Sequence, residues 1–265
     1  SGIRFETLYV DPLWPQIMVA DYALGLNQFV RSADGGQTWK RMAVGSLGVG
    51  GSSMIFLRIV SDADHPGVYY LGEQLDQEVW RSTDFGETWE KRGKIPYEGS
   101  GFATPIAGLL LDPLENETLY AAVGETVWFS EDTGQHWTEI GPVRPGETVF
   151  TLEFHPADNV SMYAITTGGI YLSEDRAQTW KPLFKPEGIR WISSQLRFDP
   201  HDPNHFYLVT SRYLYESGDA GQTWVEISQG FEGYPWFSDL AFDPFDASAV
   251  YVTTTWGVYK LDRTS

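Results

Sequence analysis

One eight-residue stretch returns five times along this chain, and that repetition limits the fold more than any other feature. It reads Ser32-Ala33-Asp34-Gly35-Gly36-Gln37-Thr38-Trp39 at its first occurrence and recurs at residues 82–89, 130–137, 173–180 and 217–224. Its aspartates, Asp34, Asp84, Asp132, Asp175 and Asp219, are spaced by 50, 48, 43 and 44 residues. A period of that size means an array of similar supersecondary units, each unable to bury its apolar surface alone. Each copy has the chemistry of a tight turn. The Asp carboxylate can accept backbone N–H groups just ahead of it, and the Gly two positions later takes a positive φ at little cost. The closing Trp buries a large ring and keeps one N–H to satisfy. An alternating strand pattern precedes every copy, as in Gln28-Phe29-Val30-Arg31 and Gly169-Ile170-Tyr171-Leu172.

A second marker runs in phase with the first. Asp11-Pro12, Asp112-Pro113, Asp199-Pro200 and Asp243-Pro244 each follow a short apolar run, with His155-Pro156 in the same place once and Ser61-Asp62 replacing the pair once. Seven residues after each Pro a further strand is centred on Val19, Tyr120, Tyr163, Tyr207 or Tyr251, and Tyr69 keeps that offset in the second unit. Pro after a strand ends it and pre-sets a turn. The repeating unit is therefore strand A, Asp-Pro turn, strand B, short loop, strand C, eight-residue turn, strand D. Four antiparallel strands repeated radially describe an all-β fold, a six-bladed β-propeller of four-stranded antiparallel blades. The blades fall at about 5–45, 55–94, 105–141, 148–184, 193–229 and 237–262, within a single domain spanning 1–265. Only Asp262-Arg263-Thr264-Ser265 follow the third strand of the last blade, so its fourth strand is expected to be missing: either that blade is three-stranded, or the ring closes by another contact, or the sequence is a fragment of a longer chain.

The motif Ser-x-Asp-x-Gly-x-Thr-Trp resembles the Asp-box, or bacterial neuraminidase repeat, of sialidases, xyloglucanases, sortilin-type receptors and photosystem II assembly factors. The five copies cover nearly the whole chain. The resemblance implies that the turn joins strands C and D on the face away from the ligand site, so that Asp34, Asp84, Asp132, Asp175 and Asp219 are structural. It also implies a secreted or periplasmic setting. The fourth copy has Ala177 in place of Gly and the third has His136 in place of Thr, so these two turns are expected to be the least regular.

Composition excludes several partners. The net charge of −18 opposes binding to nucleic acid and to anionic membranes. No run approaches the ~18 apolar residues of a membrane-spanning helix, so membrane insertion is not expected. There is no Cys, and nothing in the sequence calls for a cofactor. His201 and His205, with Asp199 and Asp202, read as solvated residues of an Asp-Pro turn rather than metal ligands, because Pro200 and Pro203 forbid the helix their spacing would need. The Gly/Ser-rich stretch 44–53 lacks the Gly-Lys-Ser/Thr ending of a phosphate-binding loop.

Function is expected on the face built from B–C and D–A loops, where the sequence varies. Tyr97, Arg190, Trp191, Arg212, Tyr234, Trp236 and Trp256 fall in those loops. Exposed aromatic rings beside charged groups suit stacking on a sugar or anchoring a protein or peptide. The same rings could instead pack between blades. Two enzyme readings stand beside the binding reading. A sialidase would need an arginine triad and a Tyr–Glu pair, for which Arg58, Arg190, Arg197, Arg212 and Tyr215-Glu216 offer a poor pattern. A xyloglucanase-like hydrolase would use two carboxylates across a cleft, with Glu73, Asp76, Glu98 and Asp239 as candidates. The sequence favours a non-catalytic binding or scaffold module for a protein, peptide or carbohydrate ligand, with a glycoside hydrolase as the alternative.

Overall fold

A computed structural model describes residues 5–22, 28–42, 58–73, 77–99, 104–185, 195–231, 235–243 and 246–262. Its fold is the six-bladed β-propeller, all-β, with four-stranded antiparallel blades and a three-stranded last blade. The chain divides into two compact units, residues 1–140 and 141–265.

In the first unit, blade one is built from Phe5–Val10, Met18–Tyr22, Gln28–Ser32 and Lys40–Arg41. Blade two uses Arg58–Ser61, Tyr69–Gly72, Glu78–Ser82 and Glu90–Lys94, and blade three Ile106–Leu111, Leu119–Val123, Thr126–Ser130 and Thr138–Pro142. In the second unit, blade four comprises Val149–Phe154, Met162–Thr166, Ile170–Ser173 and Lys181–Phe184. Blade five comprises Gln195–Phe198, Phe206–Val209, Leu214–Ser217 and Val225–Glu226, and blade six Phe237–Phe242, Ala249–Thr254 and Gly257–Asp262. Within each sheet the strands pair in chain order.

Strand B is buried on both faces, as in Met162–Thr166 and Leu119–Val123, because it lies inside its own sheet and between neighbouring blades. That is why its sequence is continuously apolar rather than alternating. Apolar residues of strand C share a core cluster with strand A of the following blade. Val79 belongs to one cluster with Ile106 and Leu109, Ile170 to one with Leu196, and Leu214 to one with Leu240.

The Asp-box turn is a closed hydrogen-bond network. In the first copy the Ser32 hydroxyl donates to Asp34 (2.8 Å) and accepts from Gly36 N (2.8 Å). Asp34 also accepts from Thr38 N (2.8 Å) and the Thr38 hydroxyl (2.5 Å), and the Trp39 indole donates to Gly36 O (2.9 Å). The carboxylate thus reaches the amide four residues ahead, farther than the sequence alone indicates, while the Ser oxygen serves the nearer amides. Two consecutive residues take positive φ in every copy: Gly35 and Gly36, Phe85 and Gly86, Thr133 and Gly134, Arg176 and Ala177, Ala220 and Gly221. Only the second is regularly glycine.

The two deviant copies diverge from each other. In the third, His136 Nδ1 takes the place of the Thr hydroxyl, 2.6 Å from Asp132, and the Trp137 indole still donates to Gly134 O (3.1 Å). That turn is regular, contrary to expectation, because an imidazole nitrogen can occupy the hydroxyl's position. In the fourth, the Ser173–Asp175–Thr179 bonds persist but the buried Trp180 indole N–H has no acceptor. The L-residue Ala177 sits at φ 66° there.

The second marker works through its aspartate more than its proline. Asp11 accepts from Leu13 N (2.8 Å) and Trp14 N (2.7 Å), and Asp112 from Leu114 N (2.8 Å) and Glu115 N (3.2 Å). Asp62, with no Pro behind it, accepts from Asp64 N (2.9 Å) and His65 N (3.1 Å). His155 does the same through Nδ1, 3.3 Å from both Ala157 N and Asp158 N.

Candidate functional site

Antiparallel pairing sends the A–B and C–D turns of a blade to one end and its B–C and D–A connections to the other. At this second end the B–C loops of the second unit share a threonine device. Thr210 Oγ1 accepts from Tyr213 N (2.8 Å) and donates to Tyr213 O (2.9 Å). Thr254 Oγ1 accepts from Trp256 N (3.1 Å) and donates to Gly257 O (3.1 Å). Such side-chain bonds hold short loops in one conformation.

Main-chain bonds then join neighbouring loops. Phe237 N donates to Ser211 O (3.2 Å), Thr255 N to Trp236 O (3.0 Å), and Trp236 N to Thr255 Oγ1 (3.2 Å). The segments carrying Arg212, Trp236 and Trp256 are thereby linked at one end of the second unit. Trp236 is 63% exposed and Trp256 69%, and Arg212 is exposed as well. Tyr97, in the first unit, is placed differently. It is half-buried against the core of blades two and three, with its ring over Gly99 and Gly124. A Cβ on Gly124 would lie 2.4 Å from the Tyr97 hydroxyl. Arg190, Trp191 and Tyr234 lie outside the described residues.

The described candidate groups for an enzyme each have their own setting. Asp239 pairs with Arg197 (2.9 Å) between the A strands of blades six and five. Glu73 is buried and Glu98 exposed, while Asp76 lies outside the described residues. Tyr215 is buried in the core of blades four and five. Glu216 accepts from the Tyr207 hydroxyl (2.8 Å) and lies 2.7 Å from His205 Nε2. His201 N donates to Asp199 (2.8 Å), ordinary capping of the turn. No cluster of three potential metal ligands occurs among the described residues.

A cleft that the sequence does not reveal lies on blade four. It is about 380 Å³ in volume and is lined by Arg144, Glu147, Tyr171, Phe184 and Lys185, among others. Its carboxylate enters from a Pro-Gly turn before strand A, and its other walls come from strands C and D, which read simply as strands.

Comparison with known proteins agrees with this architecture. The family model described as Sortilin, neurotensin receptor 3, matches residues 125–256. The xyloglucanase Xgh74A of Acetivibrio thermocellus is 27% identical over 179 residues, covering 57% of this chain and 21% of the relative. A xyloglucanase from Paenibacillus sp is 26% identical over 179 residues, covering 57% and 17%. The chain therefore spans about a fifth of the length of these curated relatives. Among solved structures, the GH74 enzyme of Niastella koreensis superposes with a TM-score of 0.75 at 19% identity, over 98% of this chain and 46% of the other. YCF48 bound to D1 peptide gives a TM-score of 0.67 at 17% identity, over 100% and 80%. Together these matches support a β-propeller of the Asp-box type. Likeness at such identity speaks to the fold alone, and these structures include both an enzyme and a peptide-bound protein.

Proposed function

We propose that this Asp-box propeller, taken as one domain over 1–265, is a non-catalytic binding or scaffold module for a protein, peptide or glycan. Its ligand would seat on the end opposite the Asp-boxes, with Trp236 and Trp256 as anchors and Arg212 as a hydrogen-bond donor. Arg190, Trp191 and Tyr234 are candidates for further contacts, and Tyr97 supports the loops of its own unit from beneath. The observation that carries this reading is the pair of indoles, 63% and 69% exposed, on loops pinned by main-chain bonds. Trp is ordinarily highly buried, and rigid loops reduce the ordering cost of binding. The net charge of −18 favours a neutral or basic partner. The peptide bound by YCF48 and the glycan for which the xyloglucanases are named are consistent with the two ligand classes.

A glycoside hydrolase is the second reading, and its support is that the curated relatives are xyloglucanases. One experiment addresses both. The protein is titrated with xyloglucan oligosaccharides and with a peptide panel by calorimetry, and the mixtures are analysed for released sugar by mass spectrometry. The expected result is binding without product, weakened about tenfold or more in Trp236→Ala and Trp256→Ala. Stability in those variants should change by less than about 0.5 kcal/mol, as for exposed positions generally. Unfolding of both variants would make the rings part of the core and overturn the anchor assignment. Release of a defined sugar would replace the binding reading with the hydrolase.

A further inference from the structure

The blade-four cleft has a chemistry of its own. Arg144-Pro145-Gly146-Glu147 forms a turn in which Glu147 N donates to Arg144 O (3.1 Å), with Gly146 at φ 82°. Proline second and a positive-φ glycine third are the requirements of a type II turn, whose first and fourth residues lie within about 7 Å of each other. The turn therefore brings the backbones of Arg144 and Glu147 together, and both residues line the cleft.

The carboxylate is held by neutral donors. The Thr166 hydroxyl donates to Glu147 Oε2 (2.6 Å) and the Tyr171 hydroxyl to Oε1 (3.1 Å). Burial, reinforced by the neighbouring carboxylate, raises the pKa of Tyr171 and keeps its hydroxyl a proton donor. A carboxylate has about four acceptor sites, so two donors leave acceptor capacity for a ligand. Gly168 makes this placement possible, because a Cβ there would lie 2.1 Å from Glu147 Oε1. The corresponding position two residues before strand A is Thr104 in blade three and Pro235 in blade six, so the carboxylate belongs to this blade rather than to the repeat.

The remaining walls divide into two kinds. Lys185 is exposed and, with Arg144, brings positive charge to the cleft, while Leu183 and Phe184 supply partly buried apolar surface. A simple anion would meet Glu147 and a simple cation would meet Arg144 and Lys185. A molecule with both charges satisfies all three. We propose that the cleft binds a small zwitterion, a free α-amino acid or dipeptide with an apolar side chain. Its ammonium group donates to Glu147, its carboxylate accepts from Arg144 and Lys185, and its side chain lies against Phe184. The volume of about 380 Å³ suits such a ligand and lies near the small end of the range for ligand sites. This assignment is independent of the Trp236 and Trp256 anchors.

The test is calorimetric titration of the whole chain with L-leucine and leucyl-leucine, beside N-acetyl-leucine, leucinamide and cellobiose. At least one of the two zwitterions should bind, and each form lacking one charge should bind about tenfold more weakly or worse, as expected for loss of a charge-assisted hydrogen bond. Glu147→Gln should lower zwitterion affinity to a similar degree. Gly168→Ala should do so as well by displacing the carboxylate, and its unfolding midpoint reports whether the fold is kept. Trp236→Ala should leave zwitterion binding unchanged, which separates this site from the proposed anchors. Equal binding of the blocked forms, binding of cellobiose alone, or no binding of either zwitterion at millimolar concentration would overturn the assignment.

Discussion

The two ends of each blade are built on opposite principles. At the Asp-box end, the same few side chains close the same hydrogen bonds in copy after copy, and even a His for Thr exchange preserves the geometry. At the other end a threonine device recurs in the second unit, but what surrounds it differs: Glu147 and Gly168 in blade four, Arg212 in blade five, Trp256 in blade six. Repetition marks a scaffold because its interactions are local and need no neighbour of particular identity. Variation marks candidate sites because each loop has been given a different chemical surface on a similar frame.

Substitutions can break or sharpen this contrast. The largest effect is expected at Gly93, in strand D of blade two, where a Cβ would lie 2.4 Å from Gly134 O and 2.6 Å from Gln135 O. Both are backbone atoms of the next Asp-box and cannot turn aside. Gly93→Ala should therefore destabilise by about 1–3 kcal/mol, as overpacking does, in urea unfolding. An unchanged midpoint would mean that blades two and three are less tightly joined than the geometry indicates. Asp84→Ala comes next. It removes the acceptor of Ser82 Oγ (2.8 Å), Thr88 N (2.8 Å) and Thr88 Oγ1 (2.6 Å), and about 1–2 kcal/mol should be lost by analogy with helix caps. A loss no greater than that of an ordinary surface substitution would remove the Asp-box from the scaffold.

The same network predicts acid behaviour. Hydrogen bonds led by the Thr38 hydroxyl hold Asp34 at about 2. Burial of Asp132 acts upward but is outweighed by bonds from His136, Ser130 and Gln135, which also bring it to about 2. Both lie below the ordinary value of about 3.9 for an unfolded aspartate. Their contribution is thus fully present above about pH 4 and is lost as pH falls towards about 2. Urea midpoints measured across that window should fall less steeply in Asp34→Asn than in the parent, and parallel curves would count against the assignment. The smallest effect is expected from Ala177→Gly, which relieves an L-residue at φ 66°. The left-handed penalty is partly offset by glycine's greater unfolded entropy. A net gain of about 0.5–1 kcal/mol should appear as a higher melting temperature, and a loss would show that the Ala177 methyl is needed where it is buried.

Much of the scaffold was legible in the sequence. Spacing and alternation located the six blades and the three-stranded last blade. Several details were not legible, for identifiable reasons. The third Asp-box was expected to be irregular because a motif registers His136 as a departure, whereas the turn needs only a donor at the right place. The Asp-Pro marker drew attention to the proline, although blade two caps its turn with Asp62 and has Ala63 behind it. Tyr97 and Trp236 looked alike as loop aromatics. One ring lies over Gly99 and Gly124 and the other faces solvent, and that distinction depends in part on Gly124 approaching from 27 residues along the chain.

The sequence by itself determined the repeat, the strands and the turns, because those follow from hydrogen bonds and side-chain periodicity spanning eight residues or fewer. Only the tertiary structure decided which loop residues are exposed, and that Glu147 meets Thr166, Tyr171 and Gly168 across 19 to 24 positions in the chain. Such meetings depend on how one strand's end lies against another's. No local pattern encodes that approach, so a carboxylate in a Pro-Gly turn reads as loop until its partners are seen around it.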